Sequence, residues 1–154
     1  MAVYNPPAGY LAVYTNGVLA GLNSSVTVPL TSVNDVYSLL GKSLYSGDPY
    51  PSFSVDEFRI YSGALYGSDV AATQVLGPGQ LLSAASPPLT VSNTGGFCSL
   101  SWPLTSPGFT VLSRTKLSLG AWVPADTPGP QLIGDRWQVT VPMIHAAEYF
   151  QLQR

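Results

Sequence analysis

A short aromatic segment carries the clearest chemistry in this sequence. Residues 43–52 are rich in Gly, Pro and Tyr, a composition typical of a loop, and Phe53 follows directly. Flat aromatic rings stack on the C–H faces of sugar rings, and a carboxylate accepts hydrogen bonds from sugar hydroxyls. The segment is therefore a candidate ligand-binding loop, and a sugar is one ligand that its four candidate contacts would fit: Tyr45, Asp48, Tyr50 and Phe53. The alternative is that these rings cover the edge of a hydrophobic core.

Two adjacent carboxylates, Asp56 and Glu57, follow this segment. Alternation of apolar and polar residues over 54–61 predicts a strand, in which neighbouring side chains point to opposite faces. Phe58 and Ile60 share the face of Asp56, and this is the face we expect to be buried, which places Asp56 at or near the core. Glu57 and Arg59 are expected to pair at the surface. Because a glycosidase needs two carboxylates that flank one bond, this pair does not predict catalysis.

Other candidates for catalysis form no motif. The single histidine, His145, has no Gly-x-Ser-x-Gly nucleophile elbow to serve. The single cysteine, Cys98, is expected to be a small buried hydrophobic residue. A carbohydrate-active hydrolase stays an alternative, but its carboxylates would have to be the scattered residues Asp35, Asp48, Asp56 or Asp135. A purely structural spacer is the third alternative.

Composition excludes several classes of protein. Charged residues make up 9% of the 154 residues, whereas about a quarter is typical of soluble domains. With 15 Gly and 14 Pro, the chain has too many helix breakers for a helical bundle. A net charge of -2 argues against a nucleic-acid-binding protein. Polar and turn residues interrupt every apolar stretch well before the ~20 residues of a membrane span.

Strand and turn patterns predict an all-β fold with one short helix. Asn16 and Gly17 between two apolar runs predict a β-hairpin with a type I′ turn. Residues 26–28 and 36–40 are expected to form further strands. Ser68 is a candidate N-cap for a helix over 69–76, which Gly77 would end. Strands are also expected at 89–91, 97–102, 109–113, 122–123, 137–141 and 149–152.

The pattern predicts two domains, of which the second is a small antiparallel β-sandwich. Residues 1–82 form the first domain, and residues 89–154 form a second, smaller one. Between them, residues 83–88 contain Ser, Ala and Pro and are predicted to be a linker. The N-terminus lacks a basic region followed by an apolar one, so we expect any export signal to lie outside this sequence.

The first domain resembles a known family in three stretches. They read YTNGV at 14–18, LGKSL at 40–44 and VDEFRIY at 55–61. Their order and spacing resemble those of the C-terminal half of LamG-like domains, which are concanavalin A-like jelly rolls. Lys42 stands where the family usually has Arg. The second domain resembles, more weakly, a small β module that ends many bacterial exported proteins, through LSW at 100–102, TKL at 115–117, Trp122 and FQL at 150–152.

The resemblance implies a partial jelly roll from a larger exported bacterial protein. It implies a non-catalytic carbohydrate-binding or adhesion module in an extracellular or cell-surface location, with a glycan or polysaccharide as partner. Jelly rolls of this kind often hold a structural calcium ion near an Asp of the last strand, which makes Asp56 the candidate metal ligand. Because the front half of the jelly roll is missing, we expect exposed sheet surface and a homo-oligomer.

Overall fold

The computed structural model describes residues 1–34, 36–125 and 128–154. Within these ranges the chain forms three antiparallel sheets and one α-helix, which confirms the predicted all-β class with one short helix. The chain divides into two compact units. We call Met1–Thr15 with Leu19–Leu65 the first unit, and Asn16–Val18 with Tyr66–Arg154 the second unit.

The first unit is built on one three-stranded sheet. Its strands are β1 (Ala2–Asn5), β2 (Tyr10–Thr15) and β3 (Val18–Asn23), in the order β1-β2-β3. A 3₁₀ turn at Pro6–Ala8 joins β1 to β2. Asn16 and Gly17 connect β2 to β3 with φ of 50° and 78°, the left-handed conformation of both central residues in a type I′ turn. The predicted hairpin is therefore confirmed.

Beyond β3, the described residues of the first unit contain no further strand. A second 3₁₀ turn occupies Leu30–Ser32. The strands predicted at 26–28, 36–40 and 54–61 are wrong, and Phe58 and Ile60 are 64% and 86% exposed instead of buried. Asp56 is likewise exposed and not at a core. Alternation of apolar and polar residues shows that a segment could cover a core, but a strand also needs a neighbouring strand to which it is hydrogen-bonded. These segments have no such partner among the described residues.

The second unit is a β-sandwich of two sheets. The four-stranded sheet has the order β4-β5-β9-β8, and the three-stranded sheet has the order β10-β6-β7. The predicted strands of this region are confirmed to within a few residues, and β8 is the one that the sequence did not predict. The strands are β4 (Thr90–Thr94), β5 (Phe97–Pro103), β6 (Thr110–Arg114), β7 (Val123–Pro124), β8 (Gln131–Ile133), β9 (Arg136–Pro142) and β10 (Tyr149–Gln153).

Alternating side chains from facing strands form the core of the second unit. On β5, Cys98, Leu100 and Trp102 point inward and are at most 5% exposed. Residues of β6, β9 and β10 pack against them. Both buried indoles keep a hydrogen-bond partner: Trp102 Nε1 donates to the carbonyl of Ser106 at 3.0 Å, and Trp137 Nε1 donates to the carbonyl of Leu104 at 3.2 Å.

The helix α1 (Gly67–Leu76) belongs to the second unit, where Ala72 is fully buried in the core. It begins two residues before the predicted start, and Ser68 is not its N-cap. The carboxylate of Asp69 instead accepts a hydrogen bond from the backbone N–H of Tyr66 at 2.8 Å. The helix ends at Gly77 as predicted, with a φ of 72°. No helix in the described part of the chain is both long and apolar enough for a membrane span.

The segment 83–88 contains no helix or strand. Its two flanking residues, Leu82 and Leu89, are partly buried against the core of the second unit. The predicted division into domains 1–82 and 89–154 stays a prediction. In the structure, the compact second unit begins at Tyr66, ahead of α1.

Candidate functional site

The four predicted glycan contacts lie in one loop, residues 41–53, which we call the aromatic loop. It begins at Gly41 with a φ of 71°, a left-handed conformation that costs glycine little. A side chain there would approach Phe53, since a Cβ at Gly41 would lie 3.5 Å from the ring atom Cζ. The two ends of the loop are therefore in contact.

Three further contacts hold the aromatic loop in a compact form. The ammonium group of Lys42 lies 5.8 Å from the centre of the Tyr50 ring, within the range of a cation–π interaction. At the tip, the backbone N–H of Asp48 donates to the carbonyl of Tyr45 at 3.3 Å. The backbone N–H of Tyr45 donates to Ser43 Oγ at 3.1 Å. These contacts place Tyr45 and Asp48 in one turn at the tip of the loop.

The aromatic rings of this loop are exposed to solvent. Tyr45, Tyr50 and Phe53 are 79%, 73% and 56% exposed, and Asp48 is exposed as well. The alternative interpretation, that these rings cover the edge of a core, requires burial that the rings do not have. Large apolar side chains that face solvent within one short loop are available to a ligand.

The predicted metal ligand, Asp56, lies in the segment after the aromatic loop and has no cluster of carboxylates around it among the described residues. The guanidinium of Arg59 donates to the carboxylate of Glu57, which confirms the predicted surface pair. The hydrogen bond from Arg59 to Glu57 raises the pKa of the guanidinium above its ordinary value. Within residues 1–34, 36–125 and 128–154, no three His, Cys, Asp or Glu side chains gather into a metal-binding group. Calcium at Asp56 stays a prediction, and Asp35 lies outside the described residues.

A cavity that the sequence did not indicate lies in the second unit. It has a volume of about 370 Å³ and is lined by residues of β4, β5 and β10 and of the segment that joins β9 to β10. Cys98 and Asn93 meet there because they are directly opposite each other in the pairing of β4 with β5. The connection brings His145 and Glu148 to the same cavity. The sequence singled out Cys98 and His145 separately, but only the strand register and the returning chain bring them together.

The environment of Cys98 does not activate the thiol. Cys98 is 5% exposed, as expected for a small buried hydrophobic residue. Burial raises the pKa of the Cys98 thiol, and the negative charge of Glu148 raises this pKa further. A nucleophilic cysteine needs the opposite shift. The cavity is therefore suited to binding rather than to thiol catalysis.

The fold and the two sites define a mostly β protein with a β-sandwich unit, an exposed aromatic loop and a separate small cavity. No family model matches this chain, and neither a curated protein nor a solved structure matches it. The resemblance to LamG-like domains therefore stays a prediction.

Proposed function

We propose that the protein is a non-catalytic carbohydrate-binding module of an exported protein, and that the aromatic loop contacts the glycan. The observation that carries this proposal is the exposure of Tyr45, Tyr50 and Phe53 around a turn that contains Asp48. Three large rings in water cost free energy that stacking on a sugar face would recover. The carboxylate of Asp48 is available to accept hydrogen bonds from hydroxyl groups of the same sugar.

Low charge suits this ligand class. The aromatic loop carries one cation, Lys42, and one anion, Asp48. Lys42 lies against the face of Tyr50, which orients that ring. Neutral sugars need stacking and hydrogen bonds rather than long-range electrostatic attraction, and the loop supplies both.

The test is a glycan array on the purified chain, followed by titration of the glycans that bind. Tyr45→Ala is expected to weaken binding by about tenfold or more, the effect typical of a central aromatic contact. Tyr37→Ala is the matched control, because Tyr37 is also exposed (68%) in the first unit but lies outside the loop. Glycan binding that survives Tyr45→Ala and Asp48→Ala unchanged, or an array with no binding, would contradict the proposal and favour a structural spacer.

The calcium proposal has its own measurement. If a calcium ion ligated by Asp56 supports the first unit, added calcium raises the thermal stability of the chain, and Asp56→Asn removes the increase. Asp135→Asn is the control, since it removes a carboxylate from the second unit. An equal response to calcium in all three chains, or none, would rule out Asp56 as a ligand.

We also propose that the chain self-associates through the sheet of the first unit. The strand β3 is at an edge of that sheet, and all six of its residues are exposed, including Val18, Leu19 and Leu22. The strands β1, β2 and β3 contain no charged residue. An exposed, apolar and uncharged edge is a template for pairing with a second copy.

Sedimentation of the purified chain at micromolar concentration tests this association. We expect a dimer or larger assembly for the natural chain and a monomer for Leu22→Lys, since a charge on an edge strand blocks edge-to-edge pairing. Ser25→Lys, just beyond β3, is the control and leaves the assembly intact. A natural chain that sediments as a monomer would overturn the proposal.

A further inference from the structure

The cavity of the second unit is a separate candidate binding site, independent of the aromatic loop. Its volume of about 370 Å³ falls within the range of small-molecule sites. It lies at one end of the sandwich, where the core face of β5 continues past Cys98. Val91 and Met143 in its wall are 54% and 51% exposed, so the site is an open pocket that continues the hydrophobic core toward solvent.

The walls of the cavity are mainly apolar. Leu89, Val91, Pro142 and Met143 contribute aliphatic surface, and β10 contributes two aromatic rings. The wall at Met143 is fixed, because its backbone N–H donates to the carbonyl of Gly96 at 2.8 Å. This hydrogen bond ties the connection between β9 and β10 to the turn between β4 and β5. A preformed apolar wall favours a ligand with a compact hydrophobic body.

One formal charge faces this cavity, the carboxylate of Glu148. Glu148 is half-buried, and no ion pair reaches it from the described residues. A partly buried carboxylate beside apolar walls gains from a cation that arrives with its own apolar body, since both are then removed from water together. An anionic ligand of the same size would be repelled.

We propose that this cavity binds a small organic cation, with the apolar body of the ligand between β4 and β10 and its ammonium group at Glu148. Cys98 forms part of the cavity and is the only cysteine in the chain. A ligand in the cavity covers the thiol. Because Cys98 is 5% exposed, a neutral reagent alkylates the free protein slowly, and a bound ligand is expected to slow this reaction further.

The experiment uses the full chain and three probes of closely similar size: phenethylammonium, 2-phenylethanol and 3-phenylpropionate. Each is titrated against the rate of alkylation of Cys98 by iodoacetamide at fixed pH. We expect phenethylammonium to slow alkylation at a concentration about tenfold lower than the alcohol needs, with the carboxylate weakest. Calorimetric titration with the same three probes is the second readout.

Two variants test whether Glu148 is the source of the preference for a cation. Glu148→Gln is expected to bring phenethylammonium to the level of the alcohol while the alcohol itself binds as before. Asp135→Asn removes a negative charge from the same unit outside the cavity, and it is expected to keep the preference. Equal protection by all three probes, no protection by any, or a preference that survives Glu148→Gln would overturn the proposal. Because neither variant alters the aromatic loop, these outcomes do not depend on glycan binding.

Discussion

The two units of this protein differ in how much apolar surface they bury. Val3 and Ala12 are the buried hydrophobic residues of the first unit among the described residues, and all the others belong to the second unit. The first unit has exposed large hydrophobic residues along β3, in the aromatic loop and over 54–61, and the second unit has others outside its core, such as Leu81, Leu119 and Ile144. The difference arises because a sheet buries its apolar face only against a second layer. The second unit has two sheets, whereas the first has one.

This difference separates two uses of an apolar side chain. In the second unit, buried apolar residues hold the two sheets together, and the proposed binding site is a cavity at the end of that core. In the first unit, most large apolar residues face solvent, where we propose that they meet a ligand or a second copy of the chain. All three tryptophans, Trp102, Trp122 and Trp137, lie in the second unit, so their fluorescence reports the unfolding of that unit.

The largest expected difference in the free energy of unfolding is between two leucine-to-alanine substitutions, one in each unit. Leu100 is completely buried, whereas Leu22 on β3 is 60% exposed. Leu100→Ala removes core contacts and leaves a cavity, which lowers the free energy of unfolding by about 2–5 kcal/mol. Leu22→Ala is expected to change it by less than about 0.5 kcal/mol. Urea unfolding followed by far-ultraviolet circular dichroism, which reports the strands of both units, measures both variants. Similar losses from the two variants would contradict the contrast between the units.

The sequence predicted the second unit better than the first for a physical reason. Strands β5, β6, β9 and β10 have their inward side chains matched by a facing layer, so local pattern and packing agree. Strand β8 has three residues, too few to show alternation. Over 54–61 the sequence also alternates in part, but strand pairing depends on residues far along the chain. The pattern there predicted burial of Phe58 and Ile60, which are exposed.

The candidate sites show the same limit. The aromatic loop is contiguous in sequence, so its composition alone identified Tyr45, Asp48, Tyr50 and Phe53 as one group. The cavity joins Asn93 and Cys98 to Glu148 through strand register and a chain reversal. The spacing of these three residues in the sequence does not indicate that they lie close together. The helix start was missed by two residues because the carboxylate of Asp69, not the hydroxyl of Ser68, provides the capping interaction.

An intermediate loss of stability is expected when one cationic side chain is replaced in each unit, Arg136 in the second and Lys42 in the first. Arg136 donates from Nε to Ser101 Oγ and from Nη2 to Thr90 Oγ1, each at 3.0 Å, and so joins three strands. Arg136→Met is expected to lower the free energy of unfolding by about 2 kcal/mol. Lys42→Met loses the contact with Tyr50 and is expected to cost less than about 1 kcal/mol. Thermal unfolding of both variants checks this order, and a larger loss for Lys42→Met would reverse it.

The smallest effect distinguishes two glycines of the β2–β3 hairpin. Gly17 belongs to the second unit and has a φ of 78°, and a Cβ there would lie 3.0 Å from Cβ of Gln74 on α1. Gly17→Ala is therefore expected to cost about 1 kcal/mol through backbone strain and crowding. A Cβ at Gly21 on β3 would meet open space, with no neighbouring atom within 4 Å, so Gly21→Ala is expected to be neutral or slightly stabilising.

Urea unfolding of these two alanine variants measures how much the turn at Gly17 contributes to the stability of the second unit. Tryptophan fluorescence reports that unit alone, so a loss of stability seen for Gly17→Ala and absent for Gly21→Ala means that the turn packs on α1 as part of its fold. Gly17→Asn provides a further check, since Asn tolerates the left-handed conformation better than Ala does. It relieves the backbone strain but keeps the crowding against Gln74. If Gly17→Ala leaves the fluorescence transition unchanged, the contact with α1 contributes nothing to the stability of the second unit.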